Sequence, residues 1–150
     1  MTAIPRKKRH PQLVLLVLLV FFVISFITNI LNSIIVAVKE SFDLSLSAAG
    51  LLPFSFFIAY AVMSIPAGLM TERFSSRALL SGSFFVIVLS CFSLVMNPNY
   101  FFFLLTLFVL GLCMAVLQVI INPMLRVAGG EEHFAFNSVM AQVVFGSASF

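Results

Sequence analysis

Uncharged polar side chains interrupt the apolar stretches of this sequence at helical spacing. Residues separated by three, four, seven or eight positions lie on one face of a helix. Three sets follow this pattern: Ser25, Asn29, Asn32 and Ser33; Gln118 and Asn122; and Ser138, Gln142, Gly146 and Ser149, with Asn137 beside the last set. Amides and hydroxyls are neutral donors and acceptors, so they suit a neutral polyhydroxylated ligand such as a sugar better than an ion.

A structural role is the alternative for these polar residues. Hydrogen bonds between membrane helices contribute about 0.6 kcal/mol each on average. The first set extends over more than two helical turns, which favours the wall of a hydrophilic cavity. Asn32 and Gln118 lie deep within their apolar stretches and are predicted to contact the ligand directly. Pro123, which follows Asn122, is expected to kink or break its helix because it lacks a backbone donor.

The composition indicates where these faces lie. Of 150 residues, 62% are hydrophobic and 9% are charged, and the mean hydropathy is +1.19. Typical soluble domains have about 45–50% apolar and about 25% charged residues. The composition therefore excludes a soluble enzyme, a nucleic-acid-binding protein and a disordered chain. It predicts an all-α integral membrane protein.

Five apolar runs are long enough, or nearly so, to cross a bilayer as helices. They cover residues 13–38, 46–70, 78–96, 100–125 and 134–150. A spanning helix needs about 20 mainly apolar residues, and every backbone amide in the bilayer must be bonded within the protein. We therefore expect residues 1–150 to form one helical bundle that is incomplete at its C-terminal end.

The cations between these runs predict the orientation in the cell membrane. Lys39 falls on one side, and seven cations fall on the other: Arg6, Lys7, Lys8, Arg9, Arg73, Arg77 and Arg126. Basic loops face the cytoplasm. The N-terminus is therefore predicted to be cytoplasmic.

The apolar runs contain no Asp, Glu, Lys, Arg or His. They offer neither an acid–base pair nor a set of metal ligands, so we expect no catalysis, no metal and no cofactor. The predicted partners are the lipid bilayer and a small-molecule solute.

Residues 68–77 resemble the signature between helices 2 and 3 of the major facilitator superfamily. Four positions match: Gly68, Glu72, Arg73 and Arg77. Ser75 and Ser76 replace the usual glycine and basic residue. The resemblance implies that this segment is a conformational gating loop, since a loop acid and arginine can latch one state.

A more specific resemblance is to the fucose:proton symporter branch, which includes fucose permeases and glucose/galactose transporters. It is carried by residues 29–33, by Asn122-Pro123, and by residues 134–137 with Gln142 and Gly146. It implies the first five helices of a twelve-helix major facilitator fold, with the C-terminal half absent. It also implies a secondary transporter that works by alternating access on a sugar such as fucose, glucose or galactose.

Fucose permeases of this branch have acidic residues where this sequence has Ser33 and Gln118. Coupling to a proton through another carboxylate, coupling to sodium, and the absence of coupling all stay open. The alternative function is a non-transporting scaffold or assembly subunit, in which the polar faces bind helices together.

Overall fold

A computed structural model describes residues 11–129 and 134–147, which form five helices. The helices are α1 (Pro11–Ser41), α2 (Leu46–Arg73), α3 (Ser76–Met96), α4 (Tyr100–Gly129) and α5 (Phe134–Ser147). Helices α1 to α4 contain segments long and apolar enough to cross a membrane. The basic run at residues 6–9 and Ser149 lie outside the described residues. The described part of the chain contains no strand.

Helix α1 continues three residues beyond its predicted end at Val38. Asp43 has a positive φ of 47°. The N–H of Leu44 donates to the carbonyl of Lys39 at 3.0 Å, and the N–H of Asp43 donates to that of Glu40 at 3.4 Å. This pair of bonds is a Schellman cap with Asp in the left-handed position that glycine usually takes. The cap keeps the polar residues 39–41 within the helix.

The predicted loop between α2 and α3 is a connection of only two residues. Helix α2 extends to Arg73, where the N–H of Phe74 donates to the carbonyl of Met70 at 2.9 Å. Ser75 caps α3, since its Oγ accepts from the N–H of Ala78 at 3.3 Å. Neither proline nor glycine interrupts residues 71–73, so the sequence continues the helix.

Helix α4 is continuous through Pro123, so of the predicted kink or break, the break is wrong and the kink stays a prediction. It is also the most enclosed of the four long helices. In its most apolar window 61% of the residues are buried, against 17–28% in the other three. Helix α4 therefore contributes more buried apolar side chains than any other described helix.

The helices are divided between two compact units. One comprises Met1–Asn29 with Ile121–Phe150, and the other comprises Ile30–Ile120. In the first unit, Ser25 is fully buried and its Oγ donates to the carbonyl of Phe145. This bond joins α1 to α5.

In the second unit, α2 and α4 approach each other closely at Gly111. A Cβ atom built there would lie 2.2 Å from the carbonyl oxygen of Phe56 and 3.0 Å from the Cβ of Ala59. The absence of a side chain at Gly111 is therefore what permits this contact. The hydroxyl of Tyr100 and Oγ of Ser55 add bonds between the same helices, donating to the carbonyls of Ala48 and Leu104 at 2.7 and 3.0 Å.

Candidate functional site

Gln118 forms a polar pair with Tyr60 in the second unit. The Tyr60 hydroxyl donates to Oε1 of Gln118 at 2.7 Å, and both side chains are half-buried. Their neighbours in sequence, Ala59 and Leu117, are fully buried. The pair thus joins α2 to α4 through two side chains held by rigid helical segments, and it adds no formal charge.

The polar face of α1 has two kinds of residue. Nδ2 of Asn29 donates to the carbonyl and to Oγ of Ser25, at 2.9 and 3.1 Å, within the helix. Asn29 is half-buried and Ser33 is exposed, whereas Ser25 is occupied in packing against α5. The Asn32 side chain lies outside what the structure describes. Ser25 therefore fits the structural alternative better than the cavity wall.

The remaining predicted residues belong to the first unit. Asn122 and Gln142 are exposed, and Asn137 is half-buried. Ser33 and Gln118 belong to the second unit. That these polar groups share one cavity stays a prediction.

The signature residues surround the turn between α2 and α3. Gly68, Glu72 and Arg73 lie in the last turns of α2, and Arg77 lies in the first turn of α3. The three charged side chains are exposed. The description of this segment as a loop is therefore wrong. A cavity of about 370 Å³ lies beside Glu72 and Arg73, bordered by Pro66 and Phe74.

A second cavity, of about 390 Å³, lies between α2, α3 and α4. Its lining includes Met63, Ser83 and Cys113, and most of the rest is aliphatic. Neither cavity is lined by the amides predicted to bind a ligand. In the described ranges, no group of three or more His, Cys, Asp or Glu residues is placed to hold a metal.

Tyr60, the hydrogen-bond partner of Gln118, was not predicted from the spacing of the amides. Its phenol lies in an apolar run, where a buried hydroxyl normally finds a hydrogen-bond partner. That signal is visible in the sequence, but the partner is not. The identity of the partner depends on how α2 and α4 align, which Gly111 helps to set.

Residues 17–150 match the family description of the Major Facilitator Superfamily. The chain belongs to the major facilitator superfamily. This assignment agrees with an all-α membrane protein whose long helices are apolar along membrane-spanning lengths. It also confirms the resemblance derived from residues 68–77.

Within the superfamily, the similar proteins include sugar transporters. The chain is 32% identical over 127 residues to the "Glucose/galactose transporter" of Brucella abortus biovar 1 (strain 9-941), covering 83% of this chain and 31% of that protein. It is 26% identical over 132 residues to the "L-fucose-proton symporter" of Escherichia coli (strain K12), covering 85% of this chain and 30% of that protein. The chain thus spans about a third of the length of these relatives. No solved structure matches it.

Proposed function

We propose that this chain is the N-terminal part of a secondary transporter that moves a neutral sugar by alternating access. The observation that carries the proposal is the half-buried, uncharged Tyr60–Gln118 pair between two membrane-length helices. An amide in such a setting binds hydroxyl groups without the cost of burying a charge. The names of the relatives support a sugar as the solute.

The proposed substrate site gathers the predicted polar residues around one aqueous cavity near the middle of the membrane. Its members are Asn29, Asn32, Ser33, Gln118, Asn122, Asn137 and Gln142. Exposure of Asn122, Ser33 and Gln142 supports the proposal, since amides and hydroxyls facing lipid would forfeit hydrogen bonds. Substrate sites of many transporters lie at the bilayer midplane between helical repeats.

We assign the turn between α2 and α3 to conformational switching, and not to sugar contact. Glu72, Arg73 and Arg77 are exposed at adjacent helix ends, where charges can pair in one state and separate in another. The charge distribution along the sequence supports a cytoplasmic location for this turn and for the N-terminus.

Any coupling proton is assigned to groups beyond Ser33 and Gln118. Neither a hydroxyl nor an amide takes up or releases a proton near neutral pH, whereas a sodium ion can bind neutral oxygen atoms. The relative named as a proton symporter makes a proton the first ion to test.

Ser25 supports the alternative of a non-transporting scaffold or assembly subunit, because its hydroxyl joins α1 to α5. Counterflow in proteoliposomes separates the two functions. The full-length protein is reconstituted with a panel including fucose, glucose and galactose. Saturable exchange of one sugar supports transport. Absence of exchange for the whole panel, with correctly inserted protein, contradicts the sugar transporter.

A further inference from the structure

We propose that Tyr60 is a positioning residue that fixes the Gln118 amide with its Nε2 group directed to the substrate. The inference rests on the proposed function and names the hydrogen-bond polarity of the site. Gln118 then donates to an oxygen of the sugar. The recognised group is a hydroxyl or ring oxygen that acts as an acceptor.

The oxygen of the Gln118 amide is occupied by Tyr60. Oε1 of Gln118 accepts from the Tyr60 hydroxyl at 2.7 Å. Among the described residues, this is the only hydrogen bond that the Gln118 side chain makes. The Nε2 group has two hydrogens, and a half-buried amide in an apolar helix requires partners for them.

The hydrogen bond to Tyr60 fixes the orientation of the Gln118 amide. A free glutamine can rotate its amide and present either the oxygen or the nitrogen. Rotation here would turn Nε2 toward the phenol, whose oxygen would have to accept and whose hydrogen would then lose its partner. The close contact between Gly111 and Phe56 holds α4 against α2, so the phenol remains within reach of the amide. Tyr60 therefore selects one of the two amide orientations.

The orientation of the amide has a consequence for ligand chemistry. A sugar hydroxyl both donates and accepts, but its O-methyl derivative only accepts. Nε2 can bind either, whereas a carboxylate at position 118 would bind the hydroxyl alone. The pair thus predicts that one substrate oxygen tolerates methylation where space allows, but cannot be replaced by hydrogen.

A spectroscopic experiment tests the pair in the chain itself. The sequence has two tyrosines and no tryptophan. Tyr100→Phe therefore leaves Tyr60 as the single reporter in ultraviolet resonance Raman spectra. We expect the bands of a hydrogen-bond-donating phenol, and we expect them to shift when Gln118→Leu is added. Unchanged bands would overturn the positioning role.

A binding experiment tests the polarity in the full-length protein. Deoxy and O-methyl analogues are compared at each position of the sugar that binds. At one position we expect the O-methyl analogue to bind about three- to tenfold more tightly than the deoxy analogue, which is the difference that one hydrogen bond makes. Tyr60→Phe should reduce this preference, and Gln118→Leu should abolish it.

The double variant and one control complete the test. Tyr60→Phe should have no further effect in the Gln118→Leu background, because Tyr60 acts through the amide. Tyr100→Phe removes a hydroxyl that bonds to the Ala48 carbonyl and should leave the preference unchanged. The inference is overturned if the two substitutions reduce the preference for the O-methyl analogue additively, or if Tyr60→Phe has the same preference as the parent. Either result leaves the proposed sugar-binding function standing. If the parent binds no sugar, the proposed function fails, and the donor role of Gln118 fails with it.

Discussion

Replacing Gly111 by alanine should separate α2 from α4. The added Cβ would lie 2.2 Å from the Phe56 oxygen and 3.1 Å from the Phe56 carbonyl carbon. Carbon–oxygen contacts normally begin at about 3.3 Å, so the helices must move apart by about 1 Å. The obstacle is backbone, which cannot rotate away as a flexible side chain can.

The cost follows from two opposing effects. Alanine favours a helix over glycine by about 1 kcal/mol, whereas overpacking a tight contact costs about 1–3 kcal/mol. We therefore expect a net loss of about 0–2 kcal/mol in the free energy of unfolding. The same 1 Å movement would extend the Tyr60–Gln118 distance from 2.7 Å to about 3.7 Å, beyond hydrogen-bonding range.

Gly82→Ala is the matched control. A Cβ at Gly82, in α3, meets nothing within 4 Å, so this change should be neutral or stabilising. Unfolding in detergent, followed by circular dichroism, measures both variants, and the Raman bands of Tyr60 report the pair. Equal stability of the two variants with unaltered Tyr60 bands would refute the argument from close packing.

Four further experiments test the site, the turn between α2 and α3, the packing of α1 and the orientation in the membrane. Gln118→Leu in the full-length protein should weaken sugar binding by about 1–3 kcal/mol, as measured by equilibrium binding to folded protein. Arg73→Ala should depress counterflow while equilibrium sugar binding stays within a few-fold, and an equal loss of both would argue against gating. Ser25→Ala should lower the free energy of unfolding by about 0.6 kcal/mol without changing sugar affinity, because its hydroxyl bonds to the Phe145 carbonyl. Cysteines at positions 75 and 97, in place of Ser75 and Asn97, should be labelled from the cytoplasm and from outside respectively, and the reverse pattern would contradict the orientation.

Long apolar runs made the membrane helices predictable, but the ends of the helices depended on local caps. Lys39 to Ser41 have the composition of a loop, yet the cap around Asp43 keeps them in α1. Glu72 and Arg73 likewise continue α2, and Ser75, the N-cap of α3, follows only two residues after Arg73. Hydropathy detects where a helix can cross lipid, and it does not detect where the backbone hydrogen bonds of that helix end.

The sequence predicted the type of side chain at the candidate site, namely uncharged amides and hydroxyls, but only some of the residues involved. Periodicity placed Gln118 on a polar face, and the structure assigns it a side-chain partner. The same periodicity placed Ser25 on such a face, where the structure assigns it to packing. The difference depends on which residue lies opposite on the neighbouring helix. Spacing within one helix carries no information on that alignment.

The acceptors of the hydroxyl groups separate packing contacts from the candidate site. Ser55 and Tyr100 donate across helices to main-chain carbonyls, and Ser25 does the same in the other unit. In each case the single hydrogen of the hydroxyl bonds to a carbonyl of the neighbouring helix, and this bond stabilises the contact between the two helices. Tyr60 donates to a side-chain amide instead, and that amide retains two donors of its own. A helix contact needs no such remaining capacity, whereas a ligand site does, and this difference is why the binding role is assigned to Gln118 and not to Ser55 or Tyr100.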